Sequence, residues 1–237
     1  VRAGSCSFPA RLAEKEGISS PAVVVESIVE AVGSRGTALF PLFNFDFPKG
    51  VPFDMRSTPS QMGALTEAAR LRPGAVRTGH PIYSFAVIGA RAADFAGLCN
   101  VSGYADDSPF GILRRIGGKI AVIDLPDQHS MTYYHHVEEI NNVDYRYFKT
   151  FTGEYTDLDG VTSTRSFKLF VRDLERGVKT SVDRMGELLW SQGLYHGDRP
   201  KQGSGMRTID AHAMFQSVTR VILDGQAKDY LYETDPV

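Results

Sequence analysis

The sequence predicts an α/β protein, a three-layer αβα-like arrangement on a mixed sheet, with an antiparallel β excursion in its C-terminal half. Three observations predict it. Apolar runs of strand length, "TALFPLF", "SFAVIG" and "KIAVI", alternate with helical periods between Pro21 and Ile140, and strand, helix and strand in alternation bury a sheet between helices. From Asn142 the composition turns to Tyr, Phe, Thr and Val, residues that favour a pleated surface. With 237 residues, 42% of them hydrophobic, the chain has the apolar mass for a sizeable core. A single domain over 1–237, with a β-rich excursion at about 142–175, is therefore expected.

The elements follow in order. In "SSPAVVVESIVEAVGSRG" Ser20 is a good N-cap, Pro21 takes the first helical position and Gly33 the stop, so a helix runs from about Pro21 to Val32. "TALFPLFNF" is a buried strand that leads into an aromatic, proline-punctuated loop. "SQMGALTEAARLRPG" is a second helix, with Ser60 as its expected cap and Pro73-Gly74 closing it. "GHPIYSFAVIG" alternates like a strand, and "AADFAGL" is a short helix. "DSPFGILRRIGG" has Ser108 as N-cap, Pro109 at N1 and Gly117 at the stop, and "KIAVIDL" is a further core strand. In the excursion, turns are expected at "TGE" and "LDG"; the helices "VDRMGELLWSQGL" and "DAHAMFQSVTRVILDG" follow.

Several classes are disfavoured by composition. The net charge of -2 shows no basic excess for a phosphate backbone, so nucleic acid is not an expected partner. Cys6 and Cys99 lie far apart without CxxC spacing, which argues against a disulfide framework and for a cytoplasmic protein. No apolar run approaches the roughly 18 residues of a membrane helix, and the start lacks a signal pattern. The chain begins at Val1 rather than Met, which suggests a trimmed N-terminus. No GxSxG elbow, P-loop or GxGxxG turn is present.

The chemistry concentrates in "DLPDQHSMTYYHHVEEI", Asp124 to Ile140, where three histidines and two glutamates fall within eleven residues. If a helix begins near Ser130, His135, Glu138 and Glu139 share one face through i,i+3 and i,i+4 spacing. The positive end of the helix then favours a neutral imidazole, and a neutral His beside a carboxylate is a general-base arrangement. The same residues have a second reading as a packed polar network. A zinc site from His129, His135, His136 and Glu139 is a weaker third, because no HExxH is present.

The order of motifs resembles the aminoglycoside 3-N-acetyltransferase family. It is carried by Gly36-Thr37, Phe53-Asp54, Arg56, Thr58-Pro59-Ser60, Gly63, Leu65, Glu67, Pro73-Gly74, Arg77, His80-Pro81, Ser84 and Ser108-Pro109. The family's "NT--H-AE" element is matched by Thr132, His135 and Glu138, and "MRTIDAHAMFQSV" matches weakly. The resemblance implies transfer of an acetyl group from acetyl-CoA, or another acyl-CoA, to an amine of an amino sugar, without a metal and on a fold distinct from the GNAT acetyltransferases. It implies His135 as general base, oriented by Glu138 or by an acidic residue of the excursion, Asp173 or Glu175. Thr58, Ser60, Ser84 and Ser108 become candidates for the coenzyme, and Phe53, Asp54, His80 and Tyr83 for the amine acceptor. A homodimer is one assembly open to such a chain.

The sequence also departs from the family. Its "HSS" segment lies ahead of this start, Tyr83 stands in place of a second His, and Met131 in place of Asn. The motifs carry few acids for a polycation, Asp46, Asp54, Asp106 and Asp107, beside an aromatic loop of Phe43, Phe45, Phe47 and Phe53. A nucleotide-linked amino sugar or a natural-product amine is therefore as good an expectation for the acceptor as an aminoglycoside. A binding protein that keeps the fold without the chemistry is the alternative from another class.

Overall fold

The computed structural model describes residues 20–203 and 205–234 of the chain; Cys6 lies outside them. It is a mixed α/β protein; among the described residues the strands form four small sheets, three of three strands and one of two. The chain folds into two compact units, one of residues up to Gly103 with Thr150–Lys168, the other of Tyr104–Lys149 with Leu169 onward.

In the first unit β1 (Thr37–Pro41) pairs antiparallel with β4 (Phe85–Gly89), which also pairs with the two-residue β3 (Val76–Arg77). The helix Pro21–Val32 has the expected bounds. Ser20 Oγ accepts from the Ala22 amide at 3.3 Å, and Gly33 ends the helix at φ 73°. Val25, Phe40, Leu42, Ala69 and Ile88 are buried together here, each large side chain contributing about 1.5–3 kcal/mol through burial. The second helix starts later than expected, at Ala64, with Gly63 as its N-cap. Ser60 lies too far upstream to cap it. Its hydroxyl instead accepts from the Met62 amide at 3.1 Å and bonds Thr66 Oγ1 at 2.8 Å.

The excursion contributes β6 (Arg146–Thr156) and β7 (Thr162–Arg172), neighbours in a sheet that β2 (Phe53–Asp54) joins in parallel to β6. The turn falls at "LDG", where Asp157 Oδ1 accepts from the Asp159 and Val161 amides. No turn forms at "TGE". β6 runs through Gly153, where the Phe47 ring sits 3.0 Å from the place a Cβ would take, so the glycine serves packing rather than reversal.

In the second unit β5 (Lys119–Ile123) pairs antiparallel with β10 (Met206–Asp210), and β10 with β9 (Tyr195–Gly197). The apolar "KIAVI" is an edge strand of this sheet, and only Val122 in it is buried; the expectation of a core strand is corrected on that point. Lys119 and Ala121 face outward, as period-two alternation on a half-covered strand requires. The helix Pro109–Arg115 is capped by Ser108, and Asp210 caps Ala211–Leu223 by accepting from the Ala213 amide at 2.8 Å. One turn of helix, Asp127–Ser130, precedes the helix Tyr133–Ile140 that carries the histidine and glutamate cluster.

Candidate active site

The helix begins at Tyr133, so His135 stands in its first turn and Glu138 one turn further on the same face. The spacing closes a bond: His135 Nδ1 lies 2.7 Å from Glu138 Oε2. Glu138 is fully buried and has two further partners. Tyr145 Oη donates to Oε1 at 3.0 Å. Arg146 Nε stands 2.8 Å from Oε2 as an ion pair, although its N–H direction misses hydrogen-bond alignment. Burial alone would push this carboxyl up, but the Arg146 charge and the bonds from His135 and Tyr145 win and hold it below the usual range.

An ionised carboxylate can only accept, so His135 Nδ1 carries the proton and donates it. Nε2 then carries the lone pair, on a side chain that keeps 20% of its surface open. Burial lowers the His135 pKa first, the Arg146 and Arg172 charges add to this, and Glu138 opposes it. The net effect is downward, so the imidazole is neutral at neutral pH. The Tyr104 ring packs edge-on against it, with centroids 5.3 Å apart. A neutral imidazole with an oriented tautomer, on a partly exposed side chain, can accept a proton from an attacking nucleophile at its second nitrogen.

Glu175 does not share this site. It is exposed, and its amide donates to Asp173 Oδ1 at 3.1 Å, so both acids shape the turn after β7. Glu138, not Glu175 or Asp173, is the carboxylate on His135. Sequence reasoning missed Tyr104, Tyr145 and Arg146, since none belongs to a local motif with His135.

The remaining candidates sit in hydrogen-bond networks of their own. Ser108 has no accessible surface, and its hydroxyl accepts from the Gly111 amide as a helix cap. Ser108→Ala is accordingly expected to lower stability by about 1 kcal/mol with no change in the KM for acetyl-CoA; a raised KM at unchanged stability would count against the cap. In the first unit Ser84 is also fully buried, and its hydroxyl accepts from Arg77 Nε and Nη2. Thr58 Oγ1 accepts from the Asp54 amide at 2.8 Å. Asp54 is gripped by Arg56 through both carboxylate oxygens, which hold its pKa down at about 2.

Phe53 is buried and stacked on Tyr155 at 5.5 Å. His80 is fully buried, and its Nδ1 accepts from the Ile82 and Tyr83 amides at 3.2 and 3.1 Å. Burial holds its pKa down at about 3, so it is a neutral anchor of the loop. Tyr83 belongs to an aromatic cluster with Phe43 and Phe45. Ser84, Ser108 and His80 are thus fully buried, Phe53 nearly so, and each is engaged in packing or hydrogen bonds of the scaffold.

Among the described residues no group of three or more His, Cys, Asp and Glu side chains is placed to hold a metal ion. His135 Nδ1 turns to Glu138 and His136 Nδ1 to the Tyr104 carbonyl, so the two rings diverge. No helix among the described residues is long and apolar enough to cross a membrane.

Comparison with known proteins supplies the context of this geometry. Residues 15–222 match the model of the family described as aminoglycoside 3-N-acetyltransferase. Aminoglycoside N(3)-acetyltransferase VII of Streptomyces paromomycinus is 30% identical over 143 residues, 51% of this chain and 48% of that protein. The chain thus spans about half the length of the curated relatives it matches. Among solved structures, AAC-IIIb in a binary complex with CoASH superposes with a TM-score of 0.73 at 21% identity, covering 93% of this chain and 87% of that one. AAC-VIa bound to sisomicin superposes with a TM-score of 0.73 at 20% identity, covering 89% and 87%.

Proposed function

Because the chain belongs to the aminoglycoside 3-N-acetyltransferase family, we propose that it transfers an acetyl group from acetyl-CoA to an amine of an amino sugar, with His135 as general base. The observation that carries this reading is the neutral His135, bonded through Nδ1 to Glu138 on a side chain that keeps 20% of its surface open. The CoASH and sisomicin complexes of structural neighbours support the two substrate classes.

In the proposed step the amine nitrogen attacks the thioester carbonyl carbon. The N–C bond forms, the C–S bond breaks, and the amine proton passes to His135 Nε2 and then to the departing sulfur. Glu138 fixes the tautomer and stabilises the imidazolium that forms. Arg146 and Tyr145 keep Glu138 ionised and in place. Base assistance of this kind contributes on the order of 10² to 10⁴ in rate.

A nucleotide-linked amino sugar stands beside an aminoglycoside 3-amino group as acceptor, because the motifs carry few acids for a polycation. Thiol release from acetyl-CoA, followed with the full chain over a panel of both acceptor classes, tests the reading; turnover with neither class, at substrate concentrations where CoA binds, would sink it.

The pH profile is a second check. A protonated His135 cannot accept the amine proton, so its limb of kcat/KM rises with pH through the imidazole pKa and is flat above it. Burial and the Arg146 charge place that pKa below the ordinary 6.5, so the imidazole is expected to add no slope between about pH 7 and 8. A limb above 7 that disappears in His135→Ala would contradict the assigned environment.

A further inference from the structure

Two histidines of the Asp124–Ile140 stretch take no part in the proposed step: His129, which is exposed, and His136. His136 is fully buried, and its Nδ1 lies 2.7 Å from the Tyr104 carbonyl oxygen. A carbonyl only accepts, so Nδ1 carries the proton and donates it. Nε2 is then a buried lone pair without a hydrogen-bond partner among the described residues. The ring lies among Tyr133 and Phe215, at centroid distances of 5.4 and 5.8 Å, and burial holds its pKa down at about 4. An apolar side chain would fill this space without leaving an orphan acceptor. What only the histidine supplies is the bond to Tyr104.

Tyr104 is itself buried, and its ring meets the His135 ring at 5.3 Å with an interplanar angle of 62°. Successive residues of a helix point about 100° apart, so His136 reaches its neighbour through Tyr104. We propose that His136 is the positioning residue of the general base: its bond to the Tyr104 carbonyl fixes the Tyr104 ring against His135, which keeps water off that flank and holds the imidazole in line with Glu138.

The inference rests on His135 as the base of the proposed transfer, and its test is chosen to work without turnover. The His135 ring is titrated by NMR in the full chain, in wild type, His136→Asn and His136→Leu. Asparagine offers an N–H donor near the Nδ1 position; leucine offers none. The charged and titratable groups facing the ring are Glu138 on its own helix, Arg146 at the start of β6, Arg172 at the end of β7, and Tyr104. Substitution at position 136 leaves the first three in place, so a change in titration reports on Tyr104.

His136→Leu is expected to raise the His135 midpoint by at least about 0.5 pH unit towards its ordinary value as water reaches the ring. It is also expected to lower kcat roughly tenfold with both KM values within about twofold. His136→Asn is expected to restore most of both. An unchanged His135 midpoint in folded His136→Leu overturns the inference, and so does an asparagine variant that behaves like leucine. If His136→Leu does not fold, Tyr104→Ala and Tyr104→Phe replace it: only the former should raise the midpoint, and equal behaviour of the two overturns the inference. A shifted midpoint with unchanged kcat would remove His135 as base while leaving the Tyr104 link standing.

Discussion

Replacing His135 by alanine is expected to lower kcat/KM for acetyl transfer by at least about a hundredfold, which is about 2.7 kcal/mol of transition-state stabilisation, while CoA binding and thermal unfolding stay nearly unchanged. The effect on rate follows from Nε2, the lone-pair nitrogen of an imidazole whose other nitrogen is engaged by Glu138. The small effect on stability follows from the partners Glu138 keeps. Without His135 its carboxylate still faces Arg146 at 2.8 Å and Tyr145 at 3.0 Å, so no buried charge is left bare. Steady-state kinetics, CoA titration by calorimetry and a melting curve on the same preparation separate the two effects. Full activity in the variant would remove His135 from the mechanism, and loss of activity together with the fold would return the pair to a packed polar network.

This site was half legible in the sequence. His135 and Glu138 are three apart, and a helix fixes what that spacing does. Arg146, which holds Glu138 ionised, begins a strand beyond the end of that helix, and Tyr104 lies 31 positions before His135. Such contacts are tertiary, and no periodicity announces them. The same division runs through the fold. Ser20, Pro21 and Gly33 bound a helix with local capping chemistry, as Ser108, Pro109 and Gly117 do for another. "TGE" read as a turn from glycine alone, whereas in the fold the approach of Phe47 is what Gly153 serves. "KIAVI" is apolar enough for a core strand, but which strand stands at a sheet edge is set by topology. Hydroxyls that a motif marked for a ligand, Ser84 and Ser108, are used by Arg77 and by a helix end. A motif shared with enzymes can thus mark what holds the site's scaffold together as readily as what touches substrate.

The largest loss of stability is expected from a residue within the same stretch that no motif marked. Asp127 is fully buried; its Oδ1 accepts from Arg207 Nη2 at 2.6 Å, and its Oδ2 accepts from Tyr134 and Tyr195 hydroxyls at 2.7 and 2.8 Å. Burial and the nearby carboxylate push both phenols well up, so they stay protonated and donate. Arg207 is buried as well, and its Nε and Nη1 have no hydrogen-bond partner among the described residues, so Asp127 is its main compensation. Asp127→Ala strands that cation and two hydroxyls, and a loss of about 3–5 kcal/mol is expected. The single tryptophan, Trp190, lies in the helix Asp183–Ser191 of the same unit, so its fluorescence in urea follows the right transition.

Two combinations sharpen the test. Removing both charges, as Asp127→Leu with Arg207→Met, should cost less than Asp127→Ala alone, because the larger part of the penalty is the unpaired ion rather than the lost contact. Gly186 gives the steric counterpart: a Cβ there would stand 2.7 Å from Asp127 Oδ2. Gly186→Ala should therefore destabilise wild type, yet be nearly neutral or stabilising in Asp127→Ala, where the oxygen is gone and alanine's helix preference of about 1 kcal/mol shows. Additive free energies in that cycle would mean that the carboxylate is not held where the glycine faces it.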